Sequence, residues 1–197
     1  MCDAIWHWPK VPEIPPPGRF VLICVRTSER RAEARKEVRA VLRRILAQWS
    51  RLSPDEILLR ETPFGPVWQS ELQGHRLDFS LSYTEDEAWI AVRRGGVIGI
   101  DIMRLEPVPE AEAVAQTYFG PADRSALRQS TDPVRDFALA WTQLEARCKC
   151  LKQGLTEWSE ASATQVQGCS TDSVIVEDRL ALSVATASQD FLCRRNA

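Results

Sequence analysis

Two stretches of this chain repeat apolar residues at helical spacing, and every other apolar run is short. Between about Ser28 and Trp49, the residues Val38, Val41, Leu42, Ile45 and Trp49 form one stripe. Over residues 134–154, Phe137, Trp141, Leu144, Cys148 and Leu151 form a second, with Gly154 expected to stop the helix. The short runs read as strands. RFVLICVR (19–26) is rich in branched residues, and RLDFSLSY (76–83) alternates through Leu77, Phe79 and Leu81. EAWIAVRR (87–94) and VIGIDI (97–102) follow, separated by Gly95-Gly96, so the three are expected to form an antiparallel meander. AEAVAQTYFG (111–120) predicts a short helix ending at Gly120, and VIVED (174–178) and LALSVAT (180–186) predict a strand pair. Each half therefore offers a long helix and a small sheet, and the class is α+β. We divide the chain into a proline-rich arm at 1–18, where Trp6 and Trp8 are expected to pin an extended segment, and lobes at 19–102 and 103–197.

The run VIGIDI ends on an acid between two isoleucines. A buried carboxylate is costly unless it is paired, hydrogen-bonded or bound to a cation. Asp101 either caps a strand end or has such a partner. Glu145 and Lys149, four residues apart on the second long helix, share one face beside the apolar stripe. They make either an ordinary surface pair or, with Asp101, two carboxylates and an ammonium that converge. Two carboxylates facing each other need a cation between them, and hard oxygen ligands suit Mg²⁺, which takes one or two carboxylates along with phosphate and water oxygens.

Other chemistries find little support. The six cysteines form no CxxC pair and only two histidines are present, His7 and His75, which argues against zinc and against Ser-His-Asp or Cys-His catalysis. Cys2, Cys24, Cys148, Cys150, Cys169 and Cys193 are expected to be reduced thiols of a cytoplasmic chain. No apolar run approaches the roughly 20 residues that span a bilayer, and MCDAIWHWPKVPEIPPPG lacks the pattern of a secretory leader. The net charge of −2 hides a basic first helix: Arg30, Arg31, Arg35, Lys36, Arg39, Arg43 and Arg44 stand against Glu29, Glu33 and Glu37. That stripe is a solvated face or a surface for an anionic ligand or an acidic partner. With a whole-chain pI near 5.8, nucleic acid is not expected.

These residues resemble the 4′-phosphopantetheinyl transferase superfamily. GID (99–101), WTQLEARCK (141–149) and QGL (153–155) are similar to its (V/I)G(I/V)D, (F/W)(S/C/T)xKE(A/S)xxK and GxGL segments. FSLSYT (79–84) sits where the family has N-(L/I)-S-H-S, FGPV (64–67) where it has G-K-P, and AVAQTYFGPADRSAL (113–127) and LALSVA (180–185) where it has a helix and a closing strand. The length and plan look like the surfactin-synthetase type, a pseudo-twofold pair of lobes that is monomeric. The resemblance implies transfer of the phosphopantetheine arm of coenzyme A to a serine of an apo acyl or peptidyl carrier protein, generally acidic, with release of adenosine 3′,5′-bisphosphate. It implies Mg²⁺ held by Asp101 and Glu145, catalysis by Glu145 and Lys149, and coenzyme A binding by Arg35, Ser82, Tyr83, Asp101 and Lys149. The chain departs from the pattern at Leu144 (for lysine), Tyr83 (histidine), Pro66 (lysine) and Met103 (a second acid). Those losses favour the alternative, a non-catalytic homologue that binds coenzyme A or a carrier protein.

Overall fold

The computed structural model describes residues 5–28, 30–68, 70–72, 74–166 and 168–188; Cys2, Glu29 and Cys193 lie outside them, as do the first four residues of the arm. Among the described residues, ten strands and five α-helices are present, and the larger ones are arranged as four layers, α/β/β/α.

The first sheet contains β1 (Ile5–His7), β2 (Phe20–Arg26), β5 (Glu71–Leu72), β6 (His75–Tyr83) and β7 (Glu87–Arg94), in the order β1-β2-β7-β6-β5. The helix α1 (Arg31–Ser50) covers one face. Val38, Leu42, Ile45 and Leu46 pack there against Ile23, Val25, Phe79, Ile90 and Val92. The arm supplies β1, a parallel edge strand paired with Leu22–Cys24, and Trp6 and Trp8 pack against the same cluster. The turn-rich FGPV loop is a short hairpin, β3 (Arg60–Thr62) with β4 (Gly65–Val67).

The second sheet has the order β8-β10-β9, made of β8 (Val97–Arg104), β9 (Ser170–Val176) and β10 (Leu180–Ala187). Its isoleucines 98, 100 and 102, with Leu182 and Val184, pack against Phe20, Leu22, Cys24, Trp89 and Ala91 of the first sheet. The short helices α2 (Ala111–Tyr118) and α3 (Pro121–Arg128) lead into α4 (Pro133–Cys150), which covers the other face. A last short helix, α5 (Glu160–Val166), precedes β9.

The expected three-stranded meander is not formed. β6 and β7 pair, but β8 pairs with β10, so residues 97–102, counted with the N-terminal lobe from the sequence, join the sheet of the C-terminal half. The reason is a row of side chains. Asp78, Ser80 and Ser82 project from alternate positions of β6 and accept hydrogen bonds from the backbone N–H groups of Ile98, Ile100 and Ile102, at 2.8, 3.1 and 3.2 Å. The free edge of β8 is thus satisfied by side chains in place of a backbone ladder.

Nor does Gly154 terminate α4. The helix ends at Cys150, and Lys152 takes the left-handed conformation with φ of 53°. Its N–H donates to the Lys149 carbonyl and that of Gln153 to the Cys148 carbonyl, a Schellman motif with lysine in the glycine position. The strain is offset by the Lys152 ammonium, which reaches Asp78 Oδ2 at 3.0 Å. Among the described residues, no helix is long and apolar enough to cross a membrane.

Candidate functional site

Asp101 stands inside β8, since pairing continues through Met103 and Arg104; it does not cap a strand end. Only 7% exposed, it faces α4 with Gly99, while the flanking isoleucines face the other sheet. Its partner is Lys149, whose Nζ donates to Asp101 Oδ1 at 2.6 Å. Ser82, buried on β6, donates to the same oxygen at 2.8 Å and lies 3.4 Å from Lys149 Nζ. Both contacts fall on Oδ1.

The approach of helix to strand depends on small residues. Ala138, Thr142, Ala146 and Cys150 form a second, four-residue stripe on α4, buried throughout. Ala146 and Cys150 pack on Val97, Ala185 and Ala187, and Thr142 Oγ1 meets Ser183 Oγ at 2.8 Å. The larger stripe seen in the sequence, Phe137, Trp141 and Leu144, faces Ala115 and Phe119 instead. Glu145 and Lys149 are left on the flank between these two stripes. Glu145 is half-buried; burial, and then the Asp101 charge, push its carboxyl above the usual carboxylate range, against the opposing pull of Lys149.

Lys149 also borders a cleft of about 310 Å³ between the two halves, shared with Arg35, Arg39, Glu61, Pro66 and Tyr83. Arg39 was legible in the sequence only as one of the basic residues of the first helix. It grips Glu61 with two 2.7 Å hydrogen bonds, which hold the glutamate below the usual range. The Tyr83 hydroxyl is buried beside them without a hydrogen-bond partner among the described residues. Its proton is held more tightly than usual by burial, against the pull of Arg39 and Arg35. An orphaned hydroxyl between guanidinium groups is suited to an anionic oxygen. Ser82 does not line this cleft, because its hydroxyl is turned to Asp101.

Residues 97–193 match the family model of the 4′-phosphopantetheinyl transferase superfamily. That stretch, just under half of the chain, carries the superfamily's domain. It is also similar to the 4′-phosphopantetheinyl transferase HetI of Nostoc sp. (strain PCC 7120), with 29% identity over 125 residues, 62% of this chain and 53% of the relative. The chain thus spans about half the length of that curated relative. The superfamily match begins at β8 and includes Asp101, Glu145 and Lys149, while Arg35, Ser82 and Tyr83 lie before it.

A divalent cation can be tested against this donor set. Asp101 and Glu145 lie close enough that one raises the proton affinity of the other, a repulsion that a cation between them would relieve. Among the described residues no group of three or more acidic, cysteine or histidine side chains could hold a metal. Met103, in the position of the superfamily's second acid, packs with Leu144 against one apolar cluster beside Trp141. The protein therefore offers two carboxylates, leaving other positions to water and phosphate oxygens, a mixture that fits Mg²⁺. Thiol chemistry does not fit, since burial raises Cys148 to about 11.

Proposed function

We propose that this chain is a Mg²⁺-dependent transferase that moves the phosphopantetheine arm of coenzyme A onto a serine of an apo carrier protein. The observation that carries the reading is the convergence of Asp101 and Glu145 on Lys149, which itself borders a cleft lined by Arg35, Arg39 and Tyr83. We read the molecule as a cytoplasmic, two-lobed monomer of the surfactin-synthetase type.

In the reaction, the serine oxygen bonds to the phosphorus that carries pantetheine, and the bond from that phosphorus to the bridging pyrophosphate oxygen breaks. Adenosine 3′,5′-bisphosphate leaves with the electron pair. Glu145 takes the serine proton; its raised proton affinity brings it nearer the working pH than an exposed glutamate would be. Lys149 exchanges Asp101 for the pyrophosphate and stabilises the charge that builds on the leaving oxygen. Arg35 takes the 3′-phosphate, with Arg39 and the Tyr83 hydroxyl beside it. Magnesium, held by Asp101 and Glu145, would supply the charge neutralisation that phosphoryl transfer requires. The exposed arginines of α1 offer an acidic carrier a complementary surface.

The test is incubation with Mg²⁺, coenzyme A and a panel of apo carrier proteins, read by intact-mass spectrometry. A carrier heavier by one phosphopantetheine, with equimolar adenosine 3′,5′-bisphosphate, supports the reading. Coenzyme A binding with no carrier modified across the panel replaces it with the binding-only homologue.

A further inference from the structure

Ser80 and Ser82 occupy equivalent seats on β6. Each accepts one backbone N–H from β8, Ile100 for Ser80 at 3.1 Å and Ile102 for Ser82 at 3.2 Å, and each is less than 10% exposed. Two differences separate them: Ser82 also touches Asp101 and Lys149, and Ser80 borders the cleft where Ser82 does not.

A serine hydroxyl has one proton to give and two lone pairs to accept with. Ser82 meets two donors, the Ile102 N–H and the Lys149 ammonium, which carry no acceptor for its proton. Its proton is therefore directed at Asp101 Oδ1. Among the described residues, Lys149 is the other side chain that this carboxylate touches, and it is partly exposed where Ser82 is buried. When the lysine turns to a phosphate, Oδ1 keeps one contact, and that contact is rooted in two strands.

We propose that Ser82 is a positioning residue: it fixes the Asp101 carboxylate for the cation while Lys149 is engaged by the pyrophosphate. This inference rests on the transferase reading and assigns Ser82 a place behind the metal ligand, away from the nucleotide cleft.

The test compares Ser82→Ala with Ser80→Ala in the full chain with coenzyme A. Each leaves one β8 N–H unpaired, and Ser82→Ala also loses the bond to Asp101, so both should lower Tm, Ser82→Ala by more. Mn²⁺ binding followed by electron paramagnetic resonance should weaken about tenfold in Ser82→Ala, the scale of a lost charge-assisted hydrogen bond, and stay within twofold of wild type in Ser80→Ala. The Mg²⁺ concentration for half-maximal transfer should rise in the same proportion in Ser82→Ala, with a smaller change in kcat. Ser82→Thr keeps the hydroxyl and should retain the wild-type Mn²⁺ affinity. Should Ser82→Ala not fold, Ser82→Cys against Ser82→Thr makes the same comparison, since a thiol is a poor donor. Wild-type metal affinity in Ser82→Ala or Ser82→Cys, or an equal loss in Ser80→Ala, overturns the inference and leaves the transferase reading standing. A wild-type protein that neither binds Mn²⁺ with coenzyme A nor modifies a carrier overturns both.

Discussion

Gly99 lies directly beneath the backbone of α4: a Cβ placed on it would come within 2.0 Å of the Ala146 carbonyl oxygen and 2.4 Å of the Cys150 nitrogen. No side-chain rotation relieves such a clash, because both obstacles are backbone. Gly99→Ala must therefore lift α4 from β8 and carry Glu145 and Lys149 away from Asp101. The expected cost is about 3 kcal/mol, toward the upper part of the range for overpacking. Denaturant unfolding, with transfer assayed under folded conditions, should show both losses. A Gly99→Ala protein of wild-type stability would contradict the contact.

Glu145 gives stability and function opposite signs. Its carboxyl has a raised pKa in the folded protein, so between the ordinary value of 4.5 and that raised value the folded state binds more protons than the unfolded state. Stability from this group is present at low pH and is lost as the pH rises through that window. Glu145→Gln removes the penalty, so at neutral pH the variant should melt above wild type, and the gap should close as the pH falls towards 4.5. The same change should lower transfer about 10²- to 10⁴-fold, the usual contribution of a general base. Thermal melts across the pH range check the first part. A gap in Tm that stays constant with pH would contradict the buried, ionised glutamate.

Glu87 is fully buried, and its two oxygens accept from Trp89 Nε1 at 2.9 Å and from Arg179 at 2.8 Å. Arg179 lies in the turn between β9 and β10, so this pair ties the first sheet to the second, far along the chain from the site. Arg179→Ala strands a buried carboxylate. The expected loss is about 3 kcal/mol, the low end for a broken buried pair because the arginine side chain is 31% exposed. Unfolding in urea measures it.

Glu61 already occupies Arg39 in the way an incoming phosphate would. The pair is partly exposed, so its contribution is no more than about 1 kcal/mol. Glu61→Gln should tighten coenzyme A binding by up to about fivefold. Arg35→Ala should weaken coenzyme A more than 3′-dephospho-coenzyme A. Equal losses for the two ligands in a calorimetric titration would remove Arg35 from the 3′-phosphate.

The sequence made the site's charged members readable because each stood where an apolar pattern was interrupted or flanked. Asp101 broke a run of isoleucines, and Glu145 and Lys149 shared a helical face. Their meeting required something periodicity does not display. The surface of α4 that touches the sheet is its row of small residues, Ala138, Thr142, Ala146 and Cys150, and a search for large apolar side chains finds the other face. β8 looked like the next strand of a meander because it follows β7 after two glycines; it is held beside β6 by Asp78, Ser80 and Ser82, three polar residues whose alternation reads as a solvent-facing edge. For the same reason Ser82 looked like a cleft residue when it is buried behind Asp101. β1 is too short, at three residues, to show any period.

The proposed chemistry depends on one ion gripped by two carboxylates, Asp101 of β8 and Glu145 of α4. Calorimetric titration of Mg²⁺ into the protein–coenzyme A complex, repeated with Asp101→Asn and Glu145→Gln, tests it most directly. The wild-type chain should bind one ion, and each variant should lose at least tenfold in affinity. Wild-type affinity in either variant would contradict it.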